Sequence, residues 1–383
     1  MDDKSVQKIH MPKKIIVISN TAWYIFNFRL SLMKSLRDKG HSIVAISPAD
    51  GYVRQLEDEG FSYITCAMNR KGKNPLEDIA LLYRFWRVFK CEKPDVVLTY
   101  TPKPNIYASI AARFCNIPVI NSITGLGNVF IQPGFVSAIV LLLYRFAFSR
   151  SYKIFFQNND DMKLFSDKGL VRRSNSEWVP GSGVDIQKFV PQSCKKRGDA
   201  FVFMLVSRMI WDKGVGEFVE AAKILKKKYS HVECRLVGFI DTQNPRGISR
   251  KQIQSWVEEK SIYYDGSTDN ILGMMSNADC IVLPSFYREG VPKVLLEAAS
   301  MEIPIITTDS VGCRDAVEDG VTGFLCKAKN VQDLSNKMQQ MLLLSEEERK
   351  SMGLRGRDKM IREFDERFVI HRYIYAIESA LHK

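Results

Sequence analysis

Short, continuous apolar runs recur along this chain, with helical segments between them. In the first half they cover residues 13–20, 41–47, 94–100, 117–122 and 152–157. In the second half they cover 201–207, 235–238, 281–284 and 303–308. A strand with one wet face alternates apolar and polar residues, whereas a strand buried on both faces does not. Runs of the second kind belong in parallel sheets covered by helices and built from βαβ units. The helical segments fit this. Residues 28–39 place Leu30, Leu32, Met33 and Leu36 near one face, and Gly40 follows as a stop signal. At 383 residues the chain is too long for one ordinary core. The polar stretch 192–199 reads as an interdomain linker. The expected architecture is α/β, with two similar-sized α/β units at 1–190 and 191–363. A final aromatic-rich helical segment occupies 364–383.

One loop in this frame carries chemistry. The run 281–284 is followed by a helix expected over 294–301, and between them stand Glu289, Gly290 and Pro292. Glu289 lies on the loop, and Glu297 lies a turn or two into the helix. Open α/β sheets bind ligands beyond the carboxyl ends of their strands. The free N–H groups of a helix start, near Lys293 and Val294, suit a phosphate. Two carboxylates beside a phosphate suit the hydroxyls of a sugar nucleotide. A second loop, Ser207-Arg208-Met209-Ile210-Trp211-Asp212-Lys213-Gly214-Val215, also joins a strand to a helix. Arg208 supplies a planar fork and Lys213 a point charge, and together they can offset a diphosphate. A third strand ends at Gly238, followed later by the segment 262–266 with Tyr264.

The stretch from Glu289 to Ala298 resembles the E-x7-E motif of the retaining glycosyltransferases of family 4. That family has the GT-B fold, two Rossmann-like domains facing across a cleft. Residues 207–215 resemble its [GS]-R-x-x-x-x-K-G motif. The resemblance implies a set of roles. Glu289 orients the donor sugar, and Glu297 binds the ribose. Arg208 and Lys213 hold the diphosphate, helped by backbone at Gly290, Lys293 and Val294. Gly238 admits the nucleotide, and the Tyr264 segment lies along its base. A nucleotide sugar is then the co-substrate, with no metal and no other cofactor. Retention would follow from front-face departure of the nucleotide diphosphate, with Glu289 as a nucleophile as the alternative. No D-x-D motif stands near Asp309 or Asp315. The family's N-terminal-domain histidine has no counterpart, because no histidine lies between Ser42 and Ser230. Its role is either absent or taken by something in 122–128, which includes Thr124. The usual glycine pair of the first family loop is also missing.

Phe28-Arg29, Gly125-Leu126-Gly127 with Gly134-Phe135, and 211–215 resemble a narrower bacterial group within that family. Its enzymes extend sugars on undecaprenyl diphosphate. This implies a UDP-sugar donor, UDP-N-acetylgalactosamine or a related hexose first. It also implies a lipid-linked saccharide acceptor and a peripheral position on the cytoplasmic face of the bacterial inner membrane.

Charge and composition bear on the acceptor. The net charge is +12, and residues 1–190 hold 26 Lys and Arg against 16 Asp and Glu. The first half therefore suits an anionic partner, and an anionic membrane surface is one such partner. Residues 135–148 are intensely apolar but too short to span a bilayer. With Arg145, Arg150 and Lys153 they either lie in a membrane interface or form a buried helix of the first domain. Asn20, Trp23, Tyr24 and Arg29 are expected in a loop facing the cleft. Arg29 either holds an acceptor diphosphate or is an exposed helix residue. Lys103, in 101–105, is a second acceptor-site candidate. Eight scattered cysteines without a C-x-x-C pair fit a reducing cytoplasm, and the polar N-terminus shows no signal peptide. Transfer to a soluble acceptor is a rival reading that needs 135–148 buried. A non-catalytic nucleic-acid binder would need basic residues interleaved with aromatics or a recognisable module. Neither is present, and both glutamates would go unexplained.

Overall fold

The computed structural model describes residues 11–69, 74–126, 135–192, 200–242 and 244–382. Most of the expected linker, at 193–199, lies outside these residues, as do Gly127, Asn128 and Gly134. Among the described residues the chain forms two sheets in which every strand pairing is parallel. The first contains β1 (Lys14–Ile18), β2 (Ser42–Ser47), β3 (Ser62–Thr65), β4 (Val96–Tyr100), β5 (Val119–Ile123), β6 (Lys153–Phe156) and β7 (Ser176–Trp178). Its order is β3-β2-β1-β4-β5-β6-β7. The second contains β8 (Phe201–Val206), β9 (Val232–Val237), β10 (Tyr263–Tyr264), β11 (Cys280–Leu283), β12 (Ile305–Thr308) and β13 (Gly323–Cys326). Its order is β10-β9-β8-β11-β12-β13. Each half of the chain thus builds its own parallel α/β sheet, as the sequence pattern predicts.

The apolar runs are continuous because each sheet is buried on both faces. In β1, Ile15 and Val17 join one core cluster while Ile16 and Ile18 join the opposite one. Each such side chain contributes about 1.5–3 kcal/mol of burial. Short edge strands such as Ser62–Thr65 and Ser176–Trp178 are less buried and carry no comparable run. They escape detection from sequence for that reason.

The first helix, Ala22–Asp38, starts earlier than expected. Thr21 caps it by accepting from the Tyr24 N–H at 3.0 Å. Trp23, Tyr24 and Arg29 are thus helical residues rather than loop residues. The helix Glu366–Leu381 packs on this first helix and on β4. Its Val369, Tyr373 and Ile377 belong to a core cluster of the first sheet. A backbone bridge between Val184 and Asp365 brings the two crossings between domains side by side.

The helix Phe135–Phe148 is half-buried. Tyr144, Ala147 and Phe148 pack with Ile106 and Phe165. Ile139, Leu142 and Phe146 share the opposite face at helical spacing and are 43%, 68% and 44% exposed. A fully buried helix is therefore not what the chain builds.

Candidate active site

Strand order reverses between β1 and β4 in the first sheet and between β8 and β11 in the second. At such a point successive crossovers leave toward opposite sides and open a crevice beyond the strand ends. The segments following β8 and β11 bring Lys213 and Glu289 together there. Lys213 Nζ pairs with Glu289 Oε1, and Ser285 Oγ donates to the same oxygen at 3.0 Å. Both charged side chains are largely buried, so the pair is weakly screened. Arg208 stays 40% exposed, its guanidinium 3.7 Å from Asp241. It is more open to an incoming anion than Lys213.

The main chain around Glu289 is held by the other domain. The Gly290 N–H donates to the Thr124 carbonyl at 3.2 Å. Asn158 Nδ2 donates to the Glu289 carbonyl at 3.2 Å, and Arg288 Nε to Asp161 Oδ1 at 2.7 Å. Gly125 has φ +110°, and a Cβ there would stand 2.7 Å from Gly290 N and 2.9 Å from Arg288 O. Only glycine combines that conformation with so close an approach.

Glu297 lies in the helix Lys293–Ser300 and is buried. Burial pushes its carboxyl above the ordinary carboxylate range, with Lys293 and Lys188 pulling it back. Lys293 Nζ stands 3.8 Å from Glu297 and donates to the Asn27 carbonyl at 2.7 Å, across the cleft. Pro292 offers no side-chain cap, so among the described residues the first N–H groups of this helix, at Lys293 and Val294, have no capping side chain. Gly238 follows β9 at φ +142°. Its N–H donates to Gly266 and its carbonyl accepts from the Tyr264 hydroxyl at 2.8 Å. That hydroxyl is thereby committed to the main chain at the end of β9.

The expected acceptor residues fare differently. Asn20 follows β1 and is half-buried. Arg29 is neither a cleft cation nor an exposed helix residue. It is 2% exposed, with Tyr100 4.2 Å below its guanidinium and Tyr24 and Tyr373 at 5.6 and 5.7 Å. It donates to the Tyr24 hydroxyl at 2.8 Å and to Ser182 at 3.3 Å. Lys103 is already matched. It pairs with Asp78 at 2.6 Å, and Asp78 also accepts from Tyr107. Sequence reading missed Ser285, Asn158, Asp161 and Arg288. The spacing Asn158-x-x-Asp161 after an apolar strand is a legible helix cap, but its link to Glu289 is not. Among the described residues no cluster of three or more His, Cys, Asp or Glu could hold a metal ion.

Residues 187–359 match the model of the glycosyl transferases group 1, and residues 14–158 that of the glycosyl transferase 4-like family. With this fold and cleft they define the class: the chain belongs to the group 1 and 4-like glycosyltransferases of the GT-B fold. Among particular proteins, it is 28% identical to N,N'-diacetylbacillosaminyl-diphospho-undecaprenol alpha-1,3-N-acetylgalactosaminyltransferase of Campylobacter jejuni. That match covers 94% of this chain and 97% of the relative. It is 25% identical to UDP-Gal:alpha-D-GlcNAc-diphosphoundecaprenol alpha-1,3-galactosyltransferase of Escherichia coli, over 68% of this chain and 70% of the relative. Its fold matches HepE of Anabaena, solved in complex with UDP and glucose, with a TM-score of 0.80 at 18% identity, covering 96% of this chain and 100% of that one. A glycosyltransferase of Rickettsia africae matches at 0.80 and 19% identity, covering 97% and 99%.

Proposed function

We propose that this glycosyltransferase moves a hexose or N-acetylhexosamine, with N-acetylgalactosamine the first choice, from a UDP-sugar to an undecaprenyl-diphosphate-linked saccharide. The Lys213–Glu289 pair at the switch point, flanked by Arg208 and an uncapped helix start, carries the reading. Arg208, Lys213 and the N–H groups at Lys293 and Val294 would take the diphosphate beside the Gly290 main chain, whose own N–H is held by Thr124. Glu297 would take the ribose, and the backbone around Gly238 and Tyr264 would line the base. Glu289, fixed by Ser285 and Lys213, would orient the donor sugar. The sugar C1–O bond to the diphosphate breaks, and a C1–O bond to the acceptor hydroxyl forms on the same face. The leaving phosphate takes the hydroxyl proton. Side chains and helix start provide the positive charge, so we assign no metal to the reaction.

The printed names of the two undecaprenol-linked relatives support the acceptor class. The outward face of Phe135–Phe148 supports docking at an anionic cytoplasmic membrane surface. Exposed Arg145 and Arg150 accompany Ile139, Leu142 and Phe146. A neighbouring helix, Pro75–Glu92, adds exposed Leu76, Ile79 and Tyr83. No described helix is long and apolar enough to cross a membrane. Replacing Leu142 and Phe146 with glutamate should cut binding to vesicles containing anionic lipid at least 10-fold, because apolar burial drives interfacial binding. Melting temperature should hold, since neither side chain supports the core. Unchanged vesicle binding refutes the docking face.

The reaction is tested by a donor screen. The protein is incubated with a prenyl-diphosphate-linked sugar and a panel of UDP-, GDP- and dTDP-sugars, with and without EDTA. The expected result is chelator-insensitive release of UDP from one donor, with a product heavier by one sugar. Absence of both turnover and nucleotide binding overturns the reading.

A further inference from the structure

The donor reading accounts for the Glu289 carboxylate but not for what sets its main chain. That support comes from the helix Asn159–Asp167 of the first domain. Asn158 caps this helix, its Oδ1 accepting from the Asp161 N–H at 2.7 Å. Its Nδ2 donates at 3.1 Å to Asp161 Oδ2 and at 3.2 Å to the Glu289 carbonyl. Asp161 Oδ1 accepts from Arg288 Nε at 2.7 Å. Asp161 and Asn158 are 0% and 1% exposed. A buried carboxylate tied to a cap on one side and to Arg288 on the other is a costly arrangement unless every bond is made.

We propose that Asn158, Asp161 and Arg288 form a positioning device for the donor-side glutamate, resting on the donor reading above. The second domain holds the Glu289 side chain through Lys213 and Ser285. The first domain holds its carbonyl through Asn158 and its neighbour through Asp161. The carboxylate is therefore correctly aimed only when the two domains meet in this arrangement. Nucleotide binding and sugar transfer thereby become separable. The nucleotide-binding groups all belong to the second domain, so UDP can bind whether or not the cap is docked. Transfer needs the cap docked. None of the three residues touches the donor in this scheme; they act through Glu289.

The distinguishing measurement is UDP affinity by calorimetry set against kcat at saturating donor, for Asp161→Asn, Arg288→Gln and the double variant. Asp161→Asn should lower kcat about 10- to 100-fold, as misplacement of a reacting group does. UDP affinity should stay within about twofold. The double variant should be no slower than the slower single one, because the partners act through one another. Asn158→Ser keeps a capping oxygen but loses the amide donor to Glu289. It should show the same split in a folded protein whose melting temperature drops only by the lost bond to Asp161 Oδ2, which covers the case in which Asp161→Asn fails to fold. Wild-type kcat in Asp161→Asn or Asn158→Ser, or effects of Asp161→Asn and Arg288→Gln that multiply in the double variant, overturn the device. A wild-type protein that binds no UDP and turns over no sugar nucleotide overturns the donor reading itself, a separate outcome.

Discussion

Glu289→Gln is expected to lower turnover about 10²- to 10³-fold, the scale of losing one preorganised polar group from a reacting centre. UDP affinity should change little. The amide keeps the volume and still accepts from Ser285, so the loop should survive. Two things are lost. Lys213 no longer faces a negative charge, and the donor sugar hydroxyls no longer meet a carboxylate acceptor. The largest loss should appear in kcat, because the ground-state nucleotide is held by other groups. Steady-state rates with the donor identified by the screen, beside UDP calorimetry, give both numbers. Near-normal kcat would remove Glu289 from the chemistry.

Arg29→Ala should destabilise the protein by about 3 kcal/mol. A desolvated cation stacked on an aromatic face contributes up to about 2 kcal/mol, and a charged hydrogen bond about 1.5–3 kcal/mol. These gains are offset by the cost of burying the charge. Truncation adds a cavity among Tyr24, Tyr100 and Tyr373 and strands the Tyr24 hydroxyl. Among the described residues the Nε of Arg29 has no hydrogen-bond partner, and three tyrosine rings stand 4.2–5.7 Å from the guanidinium carbon. Arg29→Met, which refills the space, should recover about half of the loss. Unfolding entropy grows with chain length, so in a protein of this size 3 kcal/mol lowers the melting temperature by about 4 °C. The acceptor KM at a permissive temperature should be unchanged in both variants. A large rise in acceptor KM with intact stability would restore Arg29 to the acceptor site.

These two residues show where sequence is legible and where it is not. Glu289 and Lys213 could be placed because each follows an apolar strand and precedes a helix. That local pattern points to the strand ends without any knowledge of tertiary contacts. The strands were readable for the same kind of reason: burial on both faces of β1 or β11 leaves a run with no alternation. Arg29 could not be placed. Its environment is made by Tyr100 and Tyr373, from distant parts of the chain, and nothing near Arg29 announces them. Thr21 is a recognisable helix cap, yet the aromatic residues behind it are weak helix formers and obscured the early start at Ala22. Phe135–Phe148 lay between cases. Its length and composition fit either a buried or an interfacial helix, and only packing against Phe165 and Ile106 separates its two faces. The Asn158–Asp161 cap was readable as a cap. Its reach to Glu289 depends on how two domains meet, and no local pattern encodes that.

The contact between Tyr373 and the first sheet has a consequence for how the protein is made. Tyr373 lies tilted against Phe155, with ring centres 4.5 Å apart, and closes the chamber around Arg29. During synthesis the rest of that chamber leaves the ribosome long before Tyr373 does, because the entire second domain is translated in between. Domains ordinarily fold in order of emergence. Here the earlier one must wait with an apolar flank and a half-enclosed arginine in water until the later one has been delivered. A fragment ending near residue 190 should therefore be a poor stand-in for the first domain, prone to association through the flank that Val369, Tyr373 and Ile377 cover in the whole chain. Folding of the two halves is thus interlocked in time.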